Sequence, residues 1–95
     1  MLMKVYVVHD SKAECYLPPF HMKSKGDAMR ALQALIDDPQ HNFCKYAEDF
    51  TLFEVGTWDD TSAKYNLLPT PHSIFKFNEV KKYAPVNGGA GESPQ

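Results

Sequence analysis

The sequence has little of what marks several large classes of protein. Its 95 residues include only two cysteines, Cys15 and Cys44, which are too few and too far apart for a disulfide framework. No apolar run approaches the roughly 20 residues that a membrane span needs, and the first residues lack the pattern of a signal peptide. We therefore expect no membrane segment, and reduced thiols in a cytoplasm.

An excess of one charge sign is also missing. Ten Lys and Arg against twelve Asp and Glu leave a formal net charge of −2, which excludes a strongly basic packaging protein. The charges are unevenly spread, because residues 37–60 contain seven of the carboxylates and one lysine. A fold that joins the two flanking blocks would present a basic face, whereas the alternative is that each block is ordinary solvated surface.

Motifs for catalysis, metal binding and phosphate binding are absent as well. The four histidines and two cysteines form no Cys-x-x-Cys or His-x-x-x-His pair. His9, Asp10 and Ser11 are adjacent, so on a strand they point to opposite faces and cannot form a catalytic relay. Gly26 stands outside any glycine-rich phosphate loop. We predict a protein that is not an enzyme and holds no metal or cofactor.

Alternating apolar and polar residues are the main structural signal that is present. They predict four strands, at residues 3–9, 14–22, 50–58 and 64–68. Pro18 and Pro19 make the second strand an edge, or break it, because proline donates no ladder hydrogen bond. Turn residues at 59–62 join the last two strands into a hairpin. Strict alternation places Phe53 and Trp58 on opposite faces of the third strand.

One amphipathic helix is predicted over residues 24–37. Ser24 is a favourable N-cap, and the residue before Pro39 is excluded from the helical conformation. Residues 39–49 are predicted to be a loop that tucks Phe43 and Tyr46 onto the core.

The chain after the hairpin is harder to assign. Pro69 and Pro71 break the strand pattern, and residues 72–83 fit either a short helix from Ser73 or an extended arm. We predict a single domain over residues 1–84 and a flexible Gly-rich tail over residues 85–95.

These elements predict an α+β fold. We expect a four-stranded, mostly antiparallel sheet with one main helix on one face, in the order β-β-α-β-β. The other face of the sheet is then either exposed to solvent or an interface.

The twelve aromatic residues suggest a binding surface, because several alternate with lysines. Single-stranded nucleic acid is bound in this way, since bases stack on aromatic planes for about 1–3 kcal/mol each while lysines contact the phosphates. The alternative is that most of these aromatics are ordinary core and sheet-surface side chains. The predicted nucleic-acid-binding residues are Lys4, Tyr6, Lys12, Tyr16, Phe20, Lys23, Lys25, Arg30, Lys76, Lys81 and Lys82.

Three stretches carry a resemblance to a known family. They are residues 3–20 (MKVYVVHDSKAECYLPPF), residues 24–31 (SKGDAMRA) and residues 48–56 (EDFTLFEVG). In their order they resemble the small nonstructural protein of gokushovirus-type microviruses, which are bacteriophages with single-stranded DNA genomes. The resemblance covers roughly residues 3–70 and contains no motif with assigned residue roles.

The resemblance implies a DNA-binding or replication-associated viral protein in the host cytoplasm. We expect an accessory of single-stranded DNA genome replication that binds single-stranded DNA as a homodimer. The alternative is a protein-interaction module for the phage initiator or host replication proteins. Its contact surface would be the acidic block at residues 37–60, together with Phe43, Tyr46 and Trp58.

Overall fold

The alternating segments form one antiparallel sheet. The computed structural model describes residues 1–82, so the tail predicted over residues 85–95 lies outside the described residues. The strands are β1 (Leu2–Asp10), β2 (Cys15–Tyr16), β3 (Phe20–Met22), β4 (Phe50–Asp59) and β5 (Lys64–Lys76). Their order is β2-β1-β4-β5, and β3 also pairs with β1. The predicted α+β class with a four-stranded antiparallel core is confirmed.

The second predicted strand is broken at its two prolines. Tyr16 of β2 pairs with His9, and Phe20 of β3 pairs with Tyr6, so both short strands lie along the same edge of β1. Between them the chain stays close to β1, because the Leu17 N–H donates to the Val8 carbonyl at 2.8 Å.

β5 is longer than alternation predicts, because one strand continues through Pro69 and Pro71, but its pairing with β4 is interrupted at these prolines. The prolines are tolerated because they lie among residues of this edge strand that have no partner on β4, where no ladder hydrogen bond is needed. The pairing jumps from Gly56↔Leu67 to Glu54↔His72, so residues 68–71 bulge out. A short helix does follow, but α3 spans Phe77–Val80 and does not begin at Ser73.

The main helix forms where the N-cap and the apolar stripe predict it. After α1 (Lys25–Ile36), the helix labelled α2 spans Asn42–Lys45. The Ser24 hydroxyl accepts a hydrogen bond from the Asp27 N–H at 3.1 Å, an interaction worth about 1 kcal/mol. Ala28, Leu32 and Ile36 are buried against the sheet.

The predicted loop at residues 39–49 contains α2 and a 3₁₀ helix at Ala47–Asp49. Phe43 packs on the core, with its ring centroid 4.9 Å from those of Phe50 and Phe77. Tyr46 is 52% exposed, so the expectation that it tucks onto the core is wrong.

The hydrophobic core lies between the sheet and the helices. Each fully buried large side chain contributes roughly 1.5–3 kcal/mol. Both cysteines are free thiols; Cys44 is buried and Cys15 is exposed. Within residues 1–82, no helix is both long and apolar enough to cross a membrane. The core residues are Tyr6, Val8, Ala28, Leu32, Ile36, Ala47, Phe50, Leu52, Phe75 and Phe77.

Candidate functional site: the aromatic face of the sheet

The side of the sheet opposite the core is rich in aromatic rings. Paired residues on neighbouring strands share a face, so the pairing assigns each strand position to one side. We call this side the aromatic face. Its rows across the strands are Tyr16–His9–Thr51–Lys76, Val7–Phe53–Ser73, His21–Val5–Gly56–Leu67 and Met3–Trp58–Tyr65.

Three rings form a first group at one end of this face, which we call the His9 cluster. The centroids of His9 and Tyr16 are 4.8 Å apart, and those of Tyr16 and Phe53 are 5.7 Å apart. Both contacts are edge-to-face, a favourable geometry for aromatic pairs. Tyr16 stays 47% exposed, so part of the cluster is open to solvent.

A second group, the Trp58 cluster, lies at the other end. The His21 ring centroid lies 5.0 Å from that of Trp58 and 5.6 Å from that of Tyr65. His21 Nε2 and the Tyr65 hydroxyl are hydrogen bonded at 2.7 Å. Two strands separate β3 from β5, and strand side chains stand roughly perpendicular to a sheet. The sheet must therefore curl toward this side for the two rings to meet.

Gly56 allows this curl. A Cβ atom at this position would lie 2.3 Å from the Asn66 carbonyl oxygen, and the residue has a φ of +156°. Both facts require glycine, because the β5 backbone passes too closely for any side chain. Val5 and Val7, both buried, form an apolar floor beneath the rings of the two clusters.

The aromatic face has no acidic residue among its paired strand positions. The acidic strand residues Asp10, Glu54 and Asp59 all pair on the core side, where Glu54 lies 3.5 Å from Lys4 Nζ. Lys76 pairs with Thr51 and is exposed at the His9 end of the face. The face therefore presents rings, two imidazoles and a lysine, which suits a ligand that is flat and anionic.

Two of the predicted base-stacking residues lie on the core side. Tyr6 is 0% exposed, and Phe20 is half-buried and stacked on it with ring centroids 5.8 Å apart. The prediction that Tyr6 stacks on a base is wrong for this conformation, because its ring has no exposed surface. Phe20 is only partly buried, so its stacking on a base stays a prediction. Tyr16 and Lys76 do lie on the aromatic face.

The predicted basic residues do not form one surface. Lys4 pairs with Met22, which immediately precedes Lys23, so these lysines lie near the start of α1 with Lys25 and Arg30. The second basic group, Lys12, Lys81 and Lys82, lies elsewhere. The Lys12 N–H donates a hydrogen bond to the Asp10 carboxylate, and the Lys82 N–H donates one to the Asp37 carboxylate. Lys81 Nζ donates one to the Cys44 carbonyl.

The distance between these two basic groups follows from strand geometry. Lys4 and Asp10 are at opposite ends of β1, and six residues of strand span about 20 Å. Two of the cations near the start of α1 also face carboxylates, since Lys4 lies near Glu54 and Arg30 lies 3.8 Å from Asp27.

The residues that dominate the aromatic face were not among the predicted site residues. The missed residues are His9, His21, Phe53, Trp58 and Tyr65. For Phe53 and Trp58 the reason is a β-bulge: the pairing steps from Val5↔Gly56 to Tyr6↔Glu54, which leaves Val55 unpaired. The extra residue reverses the alternation and brings Phe53 and Trp58 onto the same face. Alternation in β1 did place His9 on the side of Val5 and Val7.

The aromatic residues of the predicted acidic contact surface are separated in the fold. Phe43 packs in the core, Trp58 lies on the aromatic face, and Tyr46 is exposed beside α2. Asp59 is part of the hairpin turn, where it accepts hydrogen bonds from the Thr61 hydroxyl at 2.6 Å and from the Thr61 N–H at 2.9 Å.

The side chains of Tyr6 and Asp59 have shifted pKa values. Burial, with a further contribution from the charge of Glu54, raises the pKa of the Tyr6 hydroxyl. The hydrogen bonds from Thr61 lower the pKa of Asp59. Within residues 1–82 no group of three or more His, Cys, Asp and Glu side chains is arranged to hold a metal ion. The two shifts belong to the core, at Tyr6, and to the hairpin turn, at Asp59.

The fold and this face define a small α+β protein with one sheet face packed by helices and the other lined with aromatic rings. A family model described as Phage ORF5 protein matches residues 3–80. The chain belongs to this family of bacteriophage proteins. No curated protein and no solved structure matches it.

Proposed function

We propose that this phage protein binds single-stranded DNA through the aromatic face, as a non-enzymatic accessory of genome replication in a gokushovirus-type phage. It would act in the host cytoplasm. The observation that carries the proposal is the pair of aromatic clusters on a face whose paired positions include no carboxylate. Family membership supports the phage origin, and the resemblance to microvirus nonstructural proteins supports single-stranded DNA as the ligand.

Stacking would supply most of the affinity on this face. A base on an aromatic ring contributes about 1–3 kcal/mol, and every base has a flat face to offer. Charge would contribute less, because the paired positions of the face hold one lysine, Lys76, and the net charge of the protein is −2. Salt dependence should then be shallow, with a log–log slope of about −0.7 per phosphate contact. Homodimerisation would double the surface and raise avidity.

Fluorescence anisotropy with labelled single-stranded and duplex oligonucleotides, at low and physiological salt, tests the proposal. We expect preference for single strands. The Phe53→Leu and Trp58→Leu variants keep apolar bulk but remove a ring, so each should lose about 5- to 150-fold in affinity, the equivalent of one stacked base. Tyr46→Leu, which removes an exposed ring outside this face, is the matched control and should bind as the wild type does.

Two outcomes would contradict the proposal. One is unchanged affinity of the Phe53→Leu and Trp58→Leu variants when circular dichroism shows them to be folded. The other is the lack of any single-strand binding at low salt, which would favour the protein-interaction alternative.

A further inference from the structure

The two aromatic clusters are too far apart for neighbouring stacked bases. The His9 cluster occupies the rows of His9 and Val7, and the Trp58 cluster occupies the rows of Val5 and Met3. Their centres are therefore separated by about four residues of β1, or roughly 13 Å. Stacked bases follow one another at about 3.4 Å along a strand. A stacked strand would need about four steps to reach from one cluster to the other.

A stacked strand would also turn some of the required bases away from the sheet. With about 10 bases per helical turn, four steps rotate a base by roughly 140° about the strand axis. A base that stacks on the His9 cluster would then leave its fourth neighbour facing away from the sheet. Simultaneous contact with both clusters requires a strand that has left the helical stack.

The apolar floor beneath the rings determines which part of the DNA strand turns toward this face. Val5 and Val7 are buried and apolar, and Gly56 adds no side chain. Phosphates placed there would lose their hydration without a partner, which is costly for a charge. Val5 and Val7 are already covered, so bases reach only the exposed parts of the rings above them, and phosphates stay at the exposed rim, where Lys76 lies.

We infer that the aromatic face holds single-stranded DNA in an unstacked, extended form, with one base on each cluster, and that it prefers pyrimidine-rich strands. The inference rests on the proposed single-strand binding and adds the strand's conformation and composition. Pyrimidine runs are favoured because their bases stack weakly on each other, so less free energy is needed to separate them. In a purine-rich strand, the stronger stacking between neighbouring bases must first be broken.

Competition binding of oligothymidylate against oligodeoxyadenylate, each of about 12 nucleotides, tests this preference within the site sizes known for such proteins. We expect the thymidine strand to bind at least about tenfold more tightly. A second readout uses 2-aminopurine placed inside the adenine strand, whose fluorescence is quenched by stacking. Its emission should rise when saturating protein is added and the probe lies between the two ring-bound bases, because a base there is separated from its neighbours and has no ring to stack on.

The single and double cluster variants test whether both clusters hold one strand. Phe53→Leu and Trp58→Leu should each weaken oligothymidylate binding, and the double variant should show the product of the two losses, since residues more than about 7–10 Å apart behave additively. Tyr46→Leu is again the matched control. A strand that uses only one cluster would leave one of the single variants as tight as the wild type, which overturns the inference.

The outcomes separate the inference from the proposed function. Equal binding of both homopolymers with unchanged 2-aminopurine emission would overturn the inference and leave single-strand binding standing. Lack of binding to either strand at low salt would overturn both. Thymidine preference with increased emission and two weakened single variants supports both.

Discussion

At the scale of single residues, Tyr6 shows how packing decides what a side chain can do. It is fully buried, and within the described residues its hydroxyl has no hydrogen-bond partner. A buried hydroxyl without a partner costs desolvation energy that no interaction recovers. The ring contributes to the core, whereas the oxygen weakens it.

The Tyr6→Phe variant should therefore be at least as stable as the wild type, with a free energy of unfolding up to about 1 kcal/mol higher. Urea denaturation measures this change. Single-strand affinity should stay the same, because the ring is on the core side. A clear loss of stability would show that the hydroxyl has a partner in solution, and a loss of affinity would return Tyr6 to the binding surface.

Gly56 is the residue on which the curl of the sheet depends. Gly56→Ala should lower the free energy of unfolding by about 2–3 kcal/mol, because the new Cβ would overlap the Asn66 carbonyl and the backbone conformation disfavours alanine. Thermal or urea unfolding measures the loss. Gly26→Ala is the matched control: its Cβ would meet nothing closer than 3.8 Å, and alanine favours the helix by up to about 1 kcal/mol. Equal stability of the two variants would contradict the role assigned to Gly56.

Asp59 makes the stability of the folded protein depend on pH at the hairpin turn. The Thr61 hydrogen bonds lower its pKa in the folded protein below the value in the unfolded chain. Its contribution to stability is therefore complete above about pH 4 and is lost as the pH falls through the folded-state pKa. We expect the difference in melting temperature between the wild type and Asp59→Asn to narrow as the pH is lowered from about 6 to about 2. A difference that stays constant over this range would contradict the assignment.

At the scale of elements, the bulge in β4 decides the composition of the aromatic face. Val55 is the extra residue between Glu54 and Gly56, which pair with consecutive residues of β1. Bulges change the direction of the side chains that follow them. The same strand without a bulge would place Trp58 on the opposite face from Phe53 if its length were unchanged.

Deletion of Val55 should therefore be tolerated better than deletion of Thr57. Without Val55 the ladder becomes regular, and Phe53 and Trp58 still share a face. Without Thr57, Trp58 takes the position opposite Lys4 and turns to the core side. Trp58 is the one tryptophan in the sequence, so its fluorescence emission reports the placement directly. Similar emission and stability for the two deletions would contradict the bulge assignment.

At the scale of the whole molecule, charge is divided between two ends of the fold. The lysines and arginine near the start of α1 lie about 20 Å along β1 from the turn that contains Lys12. A single phosphate-binding stripe does not form from these residues. Single-strand binding by the aromatic face should accordingly depend on rings more than on the helix start.

A triple variant with alanine at Lys23, Lys25 and Arg30 tests this division. We expect it to fold, to bind single strands within about threefold of the wild type, and to change the salt slope by less than about 0.7, the equivalent of one phosphate contact. Salt-dependent anisotropy measures both quantities. If the variant loses most of the slope, the helix start is the phosphate-binding surface and the aromatic face is not.

Much of the fold follows from local patterns. Alternation in residues 3–9 and 50–58 located two central strands, and the Ser24 cap with its apolar stripe located α1, because these signals act within a few residues of chain. The predictions from local patterns failed where the structure of a segment depends on the strands that lie beside it. β5 resumes its pairing with β4 at His72, past Pro69 and Pro71, because both prolines lie in an unpaired bulge of this edge strand, which no local pattern reports.

By itself the sequence determined the strand periods, the capped helix and the lack of net positive charge, which excludes a strongly basic binder. Only the tertiary structure decided which aromatic rings are available. The Val55 bulge reverses the alternation that would separate Phe53 from Trp58, and packing on the core side buries Tyr6 and leaves Phe20 partly buried. The curl of the sheet over Gly56 brings His21 to Tyr65. Each of these depends on pairing between residues distant along the chain, and burial is a property of the folded surface, not of the residue type.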